Sequence, residues 1–209
     1  MKKFFLLTPV FFIAIQIFSD AYAGKLTVTT GNQEVKKKGE YEKAYFAGGC
    51  FWCMEESFDK VEGVISVVSG YSGGHLKNPT YADVIYTDSG HVEAVEITYN
   101  PKILTYEKLL DTYWKNIDPF DAKGQFCDKG KSYRSVIFFN NKKQKNLINT
   151  SFKKIEKLFN KKIVTLVWKF DKFYKAEGFH QDYYEKNFVR YLMYKKGCQR
   201  EETLDRIWN

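Results

Sequence analysis

Lys43-Ala44-Tyr45-Phe46-Ala47-Gly48-Gly49-Cys50-Phe51-Trp52-Cys53 is the stretch from which the fold can be read. The run Lys43 to Ala47 predicts a strand, and it stops at two glycines. A helical pattern follows at once, with Phe51, Met54, Phe58 and Val61 recurring on one face. Val64 to Val68 reads as a second strand, followed by a glycine-rich loop, Gly70-Tyr71-Ser72-Gly73-Gly74, and a turn at Asn78-Pro79. Val92 to Tyr99 is a third strand, ended by Asn100-Pro101. Beyond it, Tyr106, Leu109, Leu110, Tyr113, Trp114 and Ile117 mark an amphipathic helix with Thr105 as its N-cap. Tyr133 to Phe139 predicts a strand, Lys142 to Phe159 a helix with Ile148, Phe152, Ile155 and Phe159 on one face, and Ile163 to Trp168 a further strand. The order strand, helix, strand, strand, helix, strand points to an α+β fold: a two-layer α/β sandwich with a split βαβ, ferredoxin-like core and a C-terminal extension. The tail from Asp182 to Asn209 reads as one helix and a coil. No repeat or linker divides the chain after residue 40.

The 209 residues allow one domain of ordinary size, and 44% hydrophobic with 18% aromatic content excludes disorder and collagen-like repetition. The net charge of +8 comes from dispersed lysine runs such as Lys36-Lys37-Lys38 and Lys142-Lys143. These suit a solvated surface, with an anionic membrane surface as the alternative. Arginine is too scarce for a nucleic-acid stripe, so no nucleic-acid partner is expected.

Residues 1–23 read as a signal peptide. Lys2 and Lys3 precede a mostly apolar stretch from Phe4 to Phe18, and Ala21-Tyr22-Ala23 has the small-x-small form of a cleavage site. The apolar stretch is shorter than the ~20 residues that span a bilayer. The expected mature chain starts at Gly24, has a polar lead over 24–42, carries no stable membrane insertion, and works in the periplasm or outside the cell.

Four cysteines, at 50, 53, 127 and 198, are too few for a disulfide-dense scaffold, and chemistry is the expected use. Cys50 stands where a strand stops and a helix begins, so unpaired N–H groups and the helix dipole should favour its thiolate. Cys53 follows one turn later, completing a C-x-x-C redox pair. A zinc site would want a second close pair, whereas Cys127 and Cys198 stand alone in the sequence, so no metal is expected. Phe51 and Trp52 are either core residues or an apolar wall that suits a small neutral thioether-like group. In the third strand Glu93 shares the face of Val95, Ile97 and Tyr99. A carboxyl desolvated there keeps its proton and can serve as a general acid, while one that reaches past the strand end is solvated; the pattern leaves both open. Glu96, on the other face, reads as solvated. Tyr81 and Tyr133 read as core-edge tyrosines, Asp128 as a turn residue, and His75, His91 and His180 as structural.

Several separate blocks together resemble the peptide methionine sulfoxide reductase A family. They are Gly49-Cys50-Phe51-Trp52, Gly70-Tyr71-Ser72-Gly73-Gly74 with Asn78-Pro79-Thr80-Tyr81, Gly90-His91-Val92-Glu93-Ala94-Val95, Asp128-Lys129-Gly130 with Ser132-Tyr133-Arg134-Ser135, and Phe179-His180-Gln181-Asp182-Tyr183-Tyr184. The resemblance runs from about Lys43 to Trp208 and implies a single reductase domain over 43–209. It implies that Cys50 attacks the sulfur of free or peptide-bound methionine S-sulfoxide while protonated Glu93, Tyr81 and Tyr133 contact the oxygen. It also implies that Phe51, Trp52 and Asp128 bind the substrate. Cys50 then becomes a sulfenic acid, a second thiol condenses with it, and a thioredoxin-like dithiol restores the enzyme. Cys53 is the expected recycling thiol, as in a subgroup with the same Cys-Phe-Trp-Cys arrangement, and Cys198 is its rival. Cys127 is either a small buried residue or a thiol near the site. A monomer with no bound metal or organic cofactor is implied. Asn100 and Asn187-Phe188 depart from the family pattern away from this chemistry.

Two other readings compete. A secreted thiol-disulfide oxidoreductase using Cys50 and Cys53 leaves Glu93, Tyr81 and Tyr133 without a role. A basic binding module needs no reactive cysteine.

Overall fold

Strand β1 (Glu42–Ala47) puts Ala44 and Phe46 on one face and Tyr45 and Ala47 on the other, and all four are buried. A strand with both faces covered belongs in the middle of its sheet. The computed structural model describes residues 41–209, so the expected signal peptide and nearly all of the polar lead lie outside the described residues. After β1 come α1 (Phe51–Asp59), β2 (Val64–Ser72), α2 (Tyr81–Tyr86), β3 (Val92–Tyr99) and α3 (Tyr106–Lys115). A small hairpin, β4 (Gly124–Gln125) and β5 (Asp128–Lys129), leads through a 3-10 turn at Lys131–Tyr133 to β6 (Val136–Phe139). Then follow α4 (Lys142–Phe159), β7 (Leu166–Lys169), β8 (Phe173–Lys175), a 3-10 turn at Gly178–His180, and α5 (Tyr183–Lys186), α6 (Phe188–Gly197) and α7 (Arg200–Trp208).

The main sheet has the order β7-β6-β1-β3-β2-β8. Its inner strands β6, β1, β3 and β2 pair antiparallel, and with α1 and α3 they form the expected split βαβ arrangement. Helices α1, α3 and α4 cover one face, burying Met54, Phe58, Leu109, Tyr113 and Ile148 against Phe46 and Ile97. The other face holds a smaller cluster, where Tyr45 stacks on Phe170 at 3.8 Å and Phe138 meets Trp168. Thr105 caps α3 as its sequence predicts, accepting from the Lys108 N–H. Among the described residues no helix is long and apolar enough to cross a membrane.

Several elements differ from expectation. Gly70 to Ser72 continue β2 rather than forming a loop, because β8 zips onto this end. Gly70 permits that approach: a Cβ there would lie 2.3 Å from the Tyr174 carbonyl and the Phe173 ring. Tyr133 sits in the turn before β6, not in the strand, and β7 is set by its parallel register with β6, Val136 opposite Leu166. Thr80 and Asp83 form a capping box that nucleates the unforeseen α2. The tail is three helices, not one. Gln199, in the left-handed region at φ 51°, ends α6 and starts α7, whose Trp208 packs on the main core. Glu96 is half-buried rather than solvated, bonded by Tyr45 at 2.8 Å and Lys43 at 2.7 Å.

Candidate active site

The turn between β1 and α1 positions Cys50. Gly49 has φ +81°, and a Cβ on it would meet the Gln125 Cβ at 2.6 Å. Buried Gln125 is itself fixed by two bonds to the Asp118 backbone. Cys50 is therefore the N-cap of α1, its carbonyl accepting from the Cys53 and Met54 N–H groups. The Phe51 N–H donates instead to Glu93 Oε2 at 2.9 Å. Glu93 lies on the helix-covered face of β3, opposite Tyr71, and is 2% exposed. Of the two readings its sequence leaves open, the desolvated one holds.

Every residue singled out for the pocket comes to one cavity of about 80 Å³. The start of α1 supplies Cys50, Phe51 and Trp52, β3 supplies Glu93, the start of α2 Tyr81, β5 Asp128, and the turn before β6 Tyr133. Tyr194 of α6 completes the wall, and nothing in its surroundings, Tyr191-Leu192-Met193 before it and Lys195-Lys196 after it, marks it in the sequence. The space suits a small head group. A larger cleft of about 580 Å³, lined by Gly73, Trp168 and Lys172 among others, holds no thiol and no buried acid.

Supporting contacts hold the walls. Trp52 stacks on Tyr183 at 3.8 Å and donates its ring N–H to His180 Nδ1 at 3.2 Å. His180 in turn packs on Tyr81 and Phe51, so it is nearer the site than its sequence suggested. Burial keeps its pKa below the ordinary value, so it stays neutral as an acceptor. Glu177 accepts from the Tyr81 N–H and the Tyr71 hydroxyl, both at 2.8 Å, and thereby anchors the start of α2. His91 is structural, tying the loop after β2 through the Gly74 N–H and the Leu76 carbonyl.

Burial pushes the Glu93 carboxyl well above the carboxylate range, and the single N–H from Phe51 only partly offsets this. That direction favours the protonated acid. Burial also raises the Tyr81 and Tyr133 hydroxyls, leaving them as hydrogen-bond donors. The cysteine pair departs from expectation. Cys50 is pushed well up by burial, then by its hydrogen bond and charge interaction with Cys53 and by Glu93, against the Tyr194 hydroxyl. Cys53 is drawn down to about 7, first by the hydrogen bond from Cys50, with Arg200, Tyr191 and Lys195 adding to it. Burial of Cys50, which is 5% exposed, and the donation of the Phe51 N–H to Glu93 both work against the helix terminus at this thiol. The free thiols Cys50 and Cys53 share one buried cluster with Tyr184 and Tyr191.

Cys127 and Cys198 do not stand alone. They form a disulfide across 71 residues, Cα to Cα 4.9 Å, because α6 returns to the β4–β5 hairpin. Cys198 is thus not a free thiol in this state, and Cys127 is neither buried nor free. Their sulfur atoms and an Asp128 carboxylate oxygen lie within 4.8 Å of one another, yet sulfurs bonded to each other are not a thiolate pair for a metal.

The profile of the family described as peptide methionine sulfoxide reductase matches residues 42–209. A peptide methionine sulfoxide reductase MsrA from Bacillus velezensis is 50% identical over 169 residues, covering 80% of this chain and 96% of that protein. The crystal structure of Mxr1 from Saccharomyces cerevisiae in reduced form superposes with a TM-score of 0.66 at 29% identity, over 71% of this chain and 86% of that one. Methionine sulfoxide reductase A of Corynebacterium diphtheriae gives 0.65 at 27% identity, over 72% and 77%.

Proposed function

Since the chain belongs to the peptide methionine sulfoxide reductase family and is a reductase of that kind, we propose that Cys50 is its nucleophile, acting on the S epimer of free or peptide-bound methionine sulfoxide. One observation carries the reading: the Cys50 thiol, a buried carboxyl and two tyrosine hydroxyls face a single small cavity with aromatic walls. The substrate methyl group packs against Phe51 and Trp52. Its oxygen receives hydrogen bonds from Glu93, Tyr81 and Tyr133, which strengthen as negative charge builds on it. Asp128 and Tyr194 complete the wall. Cys50 gives up its proton within the Cys50–Cys53 pair and attacks the sulfur. Glu93 protonates the oxygen, which passes from the substrate sulfur to the Cys50 sulfur as the bond between the two sulfurs breaks, so that methionine leaves and Cys50 is left as a sulfenic acid.

Cys53 then condenses with that sulfenic acid, releasing water and leaving a Cys50–Cys53 disulfide. Both are free thiols in one buried cluster at the start of α1, which supports this choice, and Cys198, tied up in a disulfide, is the less ready partner. A thioredoxin-like dithiol reduces Cys50–Cys53 and is itself oxidised. Two thiols supply the electrons, so the cycle calls for no bound metal or organic group. The basic, small-residue pattern at the N-terminus supports export of the mature chain, as a monomer, to repair oxidised proteins outside the cytoplasm.

Single-turnover reduction of a peptide carrying methionine S-sulfoxide tests this. Cys50→Ser should make no methionine, whereas Cys53→Ser should make one equivalent and no Cys50-linked disulfide. Methionine formation by Cys50→Ser would overturn the assignment. N-terminal sequencing of the protein recovered from cell fractions tests export, which fails if residue 1 is retained in a cytoplasmic fraction.

A further inference from the structure

The Cys127–Cys198 disulfide closes a ring with the pocket wall. Cys127 is peptide-bonded to Asp128, whose Oδ2 accepts the Tyr194 hydroxyl at 2.5 Å. The Tyr194 carbonyl accepts the Cys198 N–H at 2.9 Å, and Cys198 returns to Cys127 through sulfur. Two wall residues, on β5 and α6, are therefore tied together both at their side chains and one turn behind them. Little else holds α6 down. Tyr191 is its one buried residue, while Phe188, Val189 and Met193 are more than 60% exposed. Its other anchors are Tyr191 and Lys195 on Glu56, at 2.5 and 3.0 Å, the Tyr194 ring edge-on to Trp52 at 6.0 Å, and buried Arg200 just beyond Cys198, which donates to the Asn116 carbonyl. A helix with so few buried residues shifts readily when one of its ties is cut.

We infer that the Cys127–Cys198 disulfide is a positioning element of the reductase: it holds Tyr194 and Asp128 in the cavity wall, with the Tyr194 ring edge-on to Trp52, so that the sulfoxide is gripped, and opening it loosens the grip. The inference rests on the cavity being the substrate site. Cys127 is exposed and Cys198 half-buried, so an external dithiol reaches this bond more easily than anything at Cys50 or Cys53, which are 5% and 1% exposed. Such a dithiol would be oxidised to its disulfide while Cys127 and Cys198 each gain a proton. Substrate affinity would then follow the redox state of the surroundings, with the reacting thiols unchanged.

The test is single-turnover kinetics on the full protein, comparing wild type with Cys127→Ala/Cys198→Ala, each with and without Tyr194→Phe. Thiol counts confirm the starting state, and circular dichroism fixes a temperature at which all four are folded. The expected result is an apparent substrate constant raised about fivefold or more in the double-alanine variant, with the saturating rate kept within about twofold. Tyr194→Phe should weaken binding in wild type yet add less than about twofold once the disulfide is gone, since the two act through one contact. An unchanged substrate constant, or full additivity with Tyr194→Phe, would overturn the inference. So would unaltered single-turnover kinetics with donor-driven turnover alone reduced, which would make the disulfide an electron relay. Absence of methionine from wild type would instead count against the reductase chemistry itself.

Discussion

Glu93 has two jobs that one substitution separates. It accepts the Phe51 N–H at 2.9 Å, and it holds a proton because burial raises its pKa. Glu93→Gln keeps a carbonyl for the N–H and an N–H donor for the sulfoxide oxygen, but it has no acidic proton to give. The rate of the chemical step should fall about 10²- to 10⁴-fold, the usual worth of a general acid, with the substrate constant nearly unchanged. Glu93→Ala should in addition leave a buried N–H unpaired, at a cost of about 1–3 kcal/mol. Stability supplies an independent check. Above the ordinary carboxylate pKa the unfolded chain has released this proton while the native protein still binds it, so the native state is penalised as pH rises. Wild type should therefore lose about 1.36 kcal/mol per pH unit relative to Glu93→Gln, from about pH 4.3 up to the raised native value. Denaturant melts of both proteins at a series of pH values, beside single-turnover rates, measure the two effects. A stability difference constant with pH would show that Glu93 is ionised in the native protein, and a Gln variant within about threefold of the wild-type rate would end its role as the acid.

The disulfide spans 71 residues, and closing a loop of that length is worth about 4 kcal/mol, so Cys127→Ala/Cys198→Ala should lower the melting temperature by roughly 10 °C; a scanning-calorimetry shift under about 3 °C would contradict this. Absorbance of the thiolate on pH titration should show one group with a midpoint at about 7 that is missing in Cys53→Ser and shifts upward in Cys50→Ser, because the latter removes the hydrogen bond that draws it down. Tyr81→Phe and Tyr133→Phe should each slow the chemical step, by up to roughly 10² as for removal of one donor to a developing oxyanion; equal rates would place the oxygen elsewhere. Gly49→Ala, forced against Gln125 at φ +81°, should lose both stability and activity together, measured by melt and single turnover.

Much of this molecule is set by short-range pattern. Alternation along Val92 to Tyr99 already places Glu93 on the apolar face, and the Gly48-Gly49 stop followed by a helical repeat already places Cys50 at a helix start. Both follow from the two-residue and 3.6-residue periods of strand and helix, which need no knowledge of distant residues. The inner four strands, α1, α3 and α4 were legible for the same reason. Other features depend on what arrives from far along the chain. Tyr194 reaches the cavity only because α6 folds back over α1, and Cys127 meets Cys198 only by that return. The three-helix tail was hidden because Asp182 and Gln199 take left-handed conformations that their residue types rarely announce. The Cys50 thiol shows the division within one residue. Local sequence puts it at a positive helix end, while tertiary structure buries it and gives the neighbouring N–H to Glu93. Position along an element is a local property of the chain, whereas desolvation and partners belong to the assembled fold.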